Sequence, residues 1–196
     1  RDFFHHSEDV KASVAAGQVE YRGWIGAGRE ANAKTYGIDT PPDLKETYAY
    51  GPVDVPDESL RVRNPVAYAP NRWPDAPFRE AAERWWREAR ALSDTLLELS
   101  AMALDLAPHH LVDHCRATTA QVAINWYGPR GDVPPEPGQF RIGPHTDFGL
   151  YTILDREPGA GGLQVLDEAG DWIDAPYVPG SLTLNTGDLL RRWTND

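Results

Sequence analysis

Apolar residues recur along the chain with two different periods, and the change of period divides it. Phe78, Ala82, Trp85, Ala89, Leu92, Leu96, Leu99, Ala103 and Leu106 follow one another at alternating four- and three-residue steps. Such steps stack side chains on one face, so the pattern predicts a helix from about Pro77 to Ala107. Asp75 is placed to cap its start, Pro77 falls in its first turn, and Pro108 cannot continue it. The same spacing, held over about four heptads, also suits a coiled coil. One long helix laid against a sheet is the commoner use of such a segment.

Beyond Arg116 the helical period is lost. Thr118 to Tyr127 reads as a strand, and a Pro/Gly loop follows from Gly128 to Gly138. Phe140-Arg141-Ile142, Leu150 to Leu154, Gly162 to Leu166, Trp172-Ile173 and Ser181 to Asn185 then read as short strands separated by turn residues. That rhythm predicts an antiparallel sandwich or jelly roll. Ahead of the helix, Phe3-Phe4 is followed by helix formers around Lys11 to Ala16. Residues 21 to 77 are rich in Gly, Pro and aromatics, as in Tyr21-Arg22-Gly23-Trp24, Gly51-Pro52 and Trp73-Pro74. Aromatic rings need burial, so this stretch is read as ordered loops and short strands rather than a flexible linker.

The 196 residues suffice for one sizeable core, and 41% apolar with 25% charged residues is ordinary for a globular protein. A net charge of −11, with cations dispersed among acids, excludes the basic footprint of a nucleic-acid binder. No apolar run reaches the roughly 20 residues that span a bilayer. The single cysteine, Cys115, excludes an internal disulfide framework and fits a reducing cytoplasm. The chain begins at Arg1 rather than Met, which leaves room for a removed leader.

His145 and Asp147 are the candidate chemistry. On a strand, residues two apart share a face, so both side chains would enter one cavity. A neutral imidazole and a carboxylate suit Fe(II), Mn(II) or Zn(II), and two histidines with one carboxylate leave open positions for reactants. Alone, the pair is a weak signal, and a surface or core histidine beside a capping aspartate is by far the commoner reading. Other groupings carry less. His110 and His114 stand at helical i, i+4 spacing, as in zinc sites, without a third ligand nearby. Cys115 beside His114 is read as a buried thiol, because adjacent side chains point apart. Trp85-Trp86 is read as core and rim.

The context of the pair supplies more. Asn71-Arg72-Trp73-Pro74 ahead of the long helix, Asn125-Trp126-Tyr127 followed by Pro129, and Gly143-Pro144-His145-Thr146-Asp147 through Thr152-Ile153-Leu154 stand in that order. Gly162-Leu163-Gln164-Val165, Trp172, Pro179-Gly180-Ser181 and Asn185-Thr186-Gly187-Asp188 follow. With Phe3-Phe4 and Tyr21-Arg22-Gly23-Trp24, this succession resembles the plant-type 2-oxoglutarate/Fe(II)-dependent oxygenases, the family that also holds isopenicillin N synthase and aminocyclopropane-carboxylate oxidase.

The resemblance implies an α+β fold with a mainly β core. That core is a double-stranded β-helix (jelly roll, cupin-like), with an N-terminal helical region and one long bracing helix. It implies that residues 1–115 form the helical and loop region and 116–196 part of the oxygenase core. It implies that His145 and Asp147 ligate Fe(II), and that Asn125 and Tyr127 approach the cosubstrate 2-oxoglutarate, with O2 as co-reactant. An amide and a phenol are neutral hydrogen-bonding groups suited to a carboxylate. Without the resemblance, Asn125 and Tyr127 read as a strand end with a buried aromatic, and Asn185 to Asp188 as a structural turn.

In such a family the second metal histidine is expected roughly 55 residues after the first, just beyond Asp196. An Arg-x-Ser about ten residues later would hold the far carboxylate of 2-oxoglutarate. The family's first strand and helix are expected before Phe3. The expected activity is oxidation, chiefly hydroxylation, of a small-molecule substrate, an amino acid or specialised metabolite, with 2-oxoglutarate converted to succinate. Tyr48 to Tyr50, Arg61, Arg63, Tyr68, Phe148, Leu150 and Arg191 are expected near the substrate. A 2-oxoglutarate-independent oxidase and a non-catalytic jelly-roll binding protein are the alternatives.

Overall fold

The computed structural model describes residues 2–17, 19–129, 134–159 and 161–195. The stretch 130–133 of the expected Pro/Gly loop lies outside them. By contacts the chain forms two units, residues 1–145 and 146–196.

The first unit is built on a three-stranded antiparallel sheet, β1 (Gly23–Ile25), β2 (Glu46–Tyr50) and β3 (Val122–Trp126), with β2 in the centre. Gly23 to Ile25 pair with Ala49 to Thr47, and Glu46 to Tyr50 pair with Trp126 to Val122. Four of the five β2 residues are buried, so this strand is covered on both faces. One face carries Tyr48 and Tyr50 into an aromatic core with Phe3, Phe4, Ala82 and Trp86, flanked by Trp24, Trp73, Phe78 and Trp126. Tyr48 packs edge-on against Phe3 and Phe78, with centroids 5.0 and 4.6 Å away. Such pairs add about 0.5–1.5 kcal/mol beyond area burial. Both phenols are satisfied, Tyr50 donating to the Ala82 carbonyl at 3.1 Å and Tyr48 to the Arg72 carbonyl. The opposite face carries Thr47, across from Asn125.

Helices α1 (Glu8–Ala12) and α2 (Ser59–Arg63) are short, and α3 (Ala76–Ala103) is the long one. Its 28 residues span about 42 Å. Asp75 caps it as expected, its carboxylate accepting from the Phe78 N–H at 2.7 Å. The end differs from the expectation of Ala107. The chain turns at Asp105, where φ is 56°. The N–H of Leu106 reaches back to the Ala101 carbonyl at 2.8 Å and that of Asp105 to Met102 at 3.1 Å. This is a Schellman ending with aspartate where glycine is usual. The buried face differs too. Ala82, Trp86, Leu97 and Ala101 are buried, whereas Trp85, Leu92 and Leu99 are exposed. A strict 3.5-residue repeat drifts by about 20° per heptad around a straight helix, so the contact stripe departs from it. The partner of α3 is the sheet, and the coiled-coil reading has no support. α4 (His110–His114) packs back on α3.

The second unit holds two antiparallel pairs, β4 (Tyr151–Leu154) with β7 (Thr183–Thr186) and β5 (Gln164–Leu166) with β6 (Trp172–Asp174), then α5 (Asp188–Thr194). These match four of the expected strands. Phe140-Arg141-Ile142 is not a strand. One backbone bond, from the Leu44 N–H to the Phe140 carbonyl at 2.9 Å, ties it down, and Gly138, at φ 74°, and Pro144 flank it too closely for a ladder. The described sheets are small and antiparallel and do not close into a barrel. No helix among the described residues is long and apolar enough to cross a membrane.

The burial of α3 makes a measurable distinction. Trp86 is 6% exposed and Trp85 37%. Trp86→Ala is expected to lower unfolding free energy in urea by about 3–5 kcal/mol. Trp85→Ala is expected to cost under about 1 kcal/mol, and the reverse order would restore the sequence-based face.

Candidate functional site

The segment leading to His145 is fixed by a buried carboxylate. Asp43 is 1% exposed. One of its oxygens accepts from the Asn32 backbone N–H at 3.1 Å and the Asn32 side-chain amide at 2.8 Å. The other accepts from the Gly143 N–H at 3.0 Å. Gly143 is packed so closely on Ala33 that a Cβ there would lie 2.7 Å from the Ala33 Cβ. Glycine is therefore required by close approach rather than by its backbone angles.

His145 is oriented from behind by that same glycine. Its Nδ1 lies 2.8 Å from the Gly143 carbonyl oxygen. A carbonyl can only accept, so Nδ1 carries a proton, and in a neutral ring Nε2 is then the nitrogen with the lone pair. That is the arrangement of a metal-binding histidine, whose other nitrogen is commonly bonded to a carbonyl or carboxylate.

Asp147 opens the second unit and is held within it. Its Oδ2 accepts from the Thr152 hydroxyl and from the Asn185 amide at 2.8 Å. Thr152 and Asn185 are directly opposite each other in the β4·β7 ladder, so strand register brings both donors to one oxygen. The backbone is fixed as well. The Asp147 carbonyl accepts from the Asp188 N–H at 2.7 Å, and that of Gly149 from Leu189 at 3.2 Å. The Thr146 hydroxyl donates to the Asp188 carboxylate at 2.8 Å. A Cβ on Gly187 would lie 2.3 Å from the Gly149 carbonyl oxygen.

The expectation that His145 and Asp147 stand on a strand is corrected, since neither belongs to a ladder. Backbone groups that a ladder would use are committed elsewhere: Gly143 N–H to Asp43, Asp147 C=O to the start of α5, and Pro144 has no N–H. The expected turn at Asn185 to Asp188 is instead the end of β7 and the start of α5, joined at Gly187, and it holds the Asp147 segment.

Asn125 and Tyr127 follow alternate positions of β3. Asn125 Oδ1 lies 3.0 Å from the Thr47 hydroxyl and 3.4 Å from Lys45 Nζ. Lys45 is paired with Glu30. The Tyr127 ring is partly exposed, but desolvation pushes its hydroxyl pKa up, and the negative charges of Asp43 and Glu30 add to this against the opposing Arg141. The phenol therefore stays protonated at neutral pH and is a donor. Asp43, Lys45 and Thr47 carry no local sequence signal, because their roles depend on contacts distant in the chain.

Of the residues expected near the substrate, some are built into the first unit. Tyr48, Tyr50 and Tyr68 are core residues, and Tyr68 donates to the Ala117 carbonyl at 2.8 Å. Arg61 donates to the Tyr68 carbonyl at 2.6 Å. The rings of His110 and His114 are 4.8 Å apart, and no cluster of three or more His, Cys, Asp or Glu suited to a metal occurs among the described residues. Burial raises the Cys115 thiol pKa, which disfavours the reactive thiolate.

Small antiparallel ladders, a long helix packed on the first of them, and a histidine and an aspartate each held by hydrogen bonds define the class: an α+β protein with a candidate metal-binding segment. Residues 118–196 match the model of the 2OG-Fe(II) oxygenase superfamily. The chain is 33% identical to validamycin A dioxygenase of Streptomyces hygroscopicus subsp. limoneus, covering 100% of this chain and 54% of the relative. It is also 33% identical to the 2-oxoglutarate-Fe(II) type oxidoreductase ppzC of Metarhizium majus, over 100% of this chain and 56% of that one. A full-length Neurospora crassa protein solved in complex with alpha-KG and thymine superposes with a TM-score of 0.79 at 27% identity, over 100% of this chain and 60% of that one. The chain belongs to the 2-oxoglutarate/Fe(II)-dependent oxygenase superfamily. It spans about half the length of the curated relatives it matches.

The close approaches generate a prediction. Gly143→Ala and Gly187→Ala are each expected to destabilise the protein by about 1–3 kcal/mol in thermal or urea melts. Gly159→Ala, whose Cβ would meet nothing nearer than 4.0 Å, is expected to stay within about 0.5 kcal/mol.

Proposed function

We propose that the protein is an Fe(II)- and 2-oxoglutarate-dependent oxygenase that hydroxylates a small molecule, an amino acid or specialised metabolite. The observation that carries this reading is the separate support of the two candidate ligands. The Gly143 carbonyl selects the His145 tautomer that can coordinate through Nε2, and Thr152 with Asn185 holds one carboxylate oxygen of Asp147. A neutral imidazole and an ionised carboxylate fit Fe(II). They are two residues apart in the chain, a separation that two side chains binding one ion can span. A third ligand, a histidine, comes from further along the protein in this reading. The short ladders belong to a double-stranded β-helix, with residues 116–196 in the oxygenase core and 1–115 forming the N-terminal helical and loop region.

When bound, iron would supply the redox chemistry that couples decarboxylation of 2-oxoglutarate by O2, giving succinate and CO2, to oxidation of the substrate. The chain's own residues do the rest. Asp43 and Gly143 set the direction from which His145 approaches. Thr152 and Asn185 restrict the Asp147 carboxylate to one rotamer. Asn125 and Tyr127 are hydrogen-bonding partners for a 2-oxoglutarate carboxylate, Tyr127 as a protonated donor. Among the relatives, validamycin A dioxygenase and the thymine-bound Neurospora crassa protein are named with small polar molecules, in keeping with a small-molecule substrate here.

The test uses the full protein loaded with Fe(II). Succinate formation from 2-oxoglutarate across a panel of amino acids, cyclitols and nucleobases is expected with at least one substrate, and His145→Ala and Asp147→Ala are expected to abolish it. Asn185→Ala, which removes a support rather than a ligand, is expected to weaken iron affinity by about 10- to 100-fold. A loaded protein that neither binds 2-oxoglutarate nor consumes it with any member of the panel would overturn the proposal.

A further inference from the structure

On the polar face of β2 lies a group that the oxidation itself does not use, a buried lysine. The Lys45 side chain is 3% exposed. Burying an ammonium costs several kcal/mol, and an ion pair in such a place is poor evidence of added stability. Its neighbours explain it better. Nζ has three protons and three acceptors: Glu30 Oε2 at 2.5 Å, Thr47 Oγ1 at 2.7 Å and Asn125 Oδ1 at 3.4 Å. Thr47 Oγ1 lies 2.8 Å from Glu30 Oε2 and 3.0 Å from Asn125 Oδ1. The hydroxyl has one proton to give, and Glu30 already receives the ammonium.

The chemistry of the cation fixes the amide. An ammonium only donates, so the Asn125 atom turned toward Lys45 must be the carbonyl oxygen; an NH2 group there would set donor against donor. The NH2 end then points away from Lys45 and Thr47. Strand register enforces the arrangement, because Thr47 and Asn125 are directly paired across β2 and β3.

We propose that Lys45 and Thr47 are positioning residues that lock the Asn125 amide with its NH2 end presented, so that Asn125 binds a 2-oxoglutarate carboxylate as a donor. The inference rests on the reading above that Asn125 approaches 2-oxoglutarate. It makes the site selective for an acceptor group. A carboxylate is recognised, and a ligand offering a hydroxyl or amine proton at that point is not.

The test is equilibrium binding of 2-oxoglutarate to the Mn(II)-loaded full protein by calorimetry, which needs no turnover. Asn125→Asp keeps shape and gains an ion pair with Lys45, but puts an anionic acceptor where the donor was. It is expected to fold and to lose tenfold or more in affinity. Thr47→Val is expected to weaken binding about three- to tenfold, Thr47→Ser to restore it, and Thr47→Val to have no further effect in an Asn125→Ala background. If Thr47→Val does not fold, Thr47→Ala is read by the same comparison. Unchanged affinity in Asn125→Ala would overturn the reading that Asn125 contacts 2-oxoglutarate. Weakened binding in Asn125→Ala with wild-type affinity in Asn125→Asp, or additive effects of the Thr47 and Asn125 changes, would overturn the lock while leaving that reading in place.

Discussion

The buried carboxylate of Asp43 is the constraint on which the local architecture around His145 depends. It takes three N–H donors, two from Asn32 and one from Gly143, residues that lie about a hundred positions apart in the chain. Hydrogen bonds to a charged group contribute about 1.5–3 kcal/mol each, and a buried charge stripped of its donors is strongly destabilising. The two loops are therefore joined or both are lost. Because Gly143 both donates to Asp43 and accepts from His145, the histidine's protonation pattern is tied to the same anchor.

Support of this kind recurs at each candidate residue. His145 leans on a carbonyl, Asp147 on a hydroxyl and an amide, and Asn125 on a hydroxyl and an ammonium. In each case a neighbour from another part of the chain or the next turn fixes one polar atom of the functional group. Orientation by fixed neighbours lowers the entropic cost of forming a coordination sphere or a bound carboxylate. Two of these supports come from residues opposite one another across a ladder, Thr152 with Asn185 and Thr47 with Asn125. Pairing register sets where these groups point, and a slip of one residue would turn them to the other face.

Local signals were legible in the sequence and long-range ones were not. The start of α3 could be read because Asp75 and Pro77 act within one turn. Its end could not, because Asp105 adopts the left-handed conformation where the usual sign is glycine. The helix face was misplaced from Trp85 onward, since a seven-residue repeat and a straight helix lose phase. The short strands beyond Asp147 were found to within one or two residues, whereas the strand read from Thr118 begins only at Val122, and Phe140 to Ile142 looked like a strand and lacked a partner. His145, Asp147, Asn125 and Tyr127 stood out through their motifs and the family they resemble. Asp43, Lys45 and Thr47 did not, because an ordinary polar residue acquires its role only from what the fold sets beside it.

The central claim is that His145 is held as the Nδ1–H tautomer with Nε2 as the coordinating atom, and it is tested most directly by 15N NMR of the histidine rings in the full protein. At pH 8 without metal, the account predicts a protonated Nδ1 and an unprotonated Nε2 for His145, and on addition of Zn(II) a shift of the Nε2 resonance that is absent in Asp147→Ala at the same metal concentration. A His145 ring found as the Nε2–H tautomer, or one unmoved by saturating metal in the wild-type protein, would contradict it.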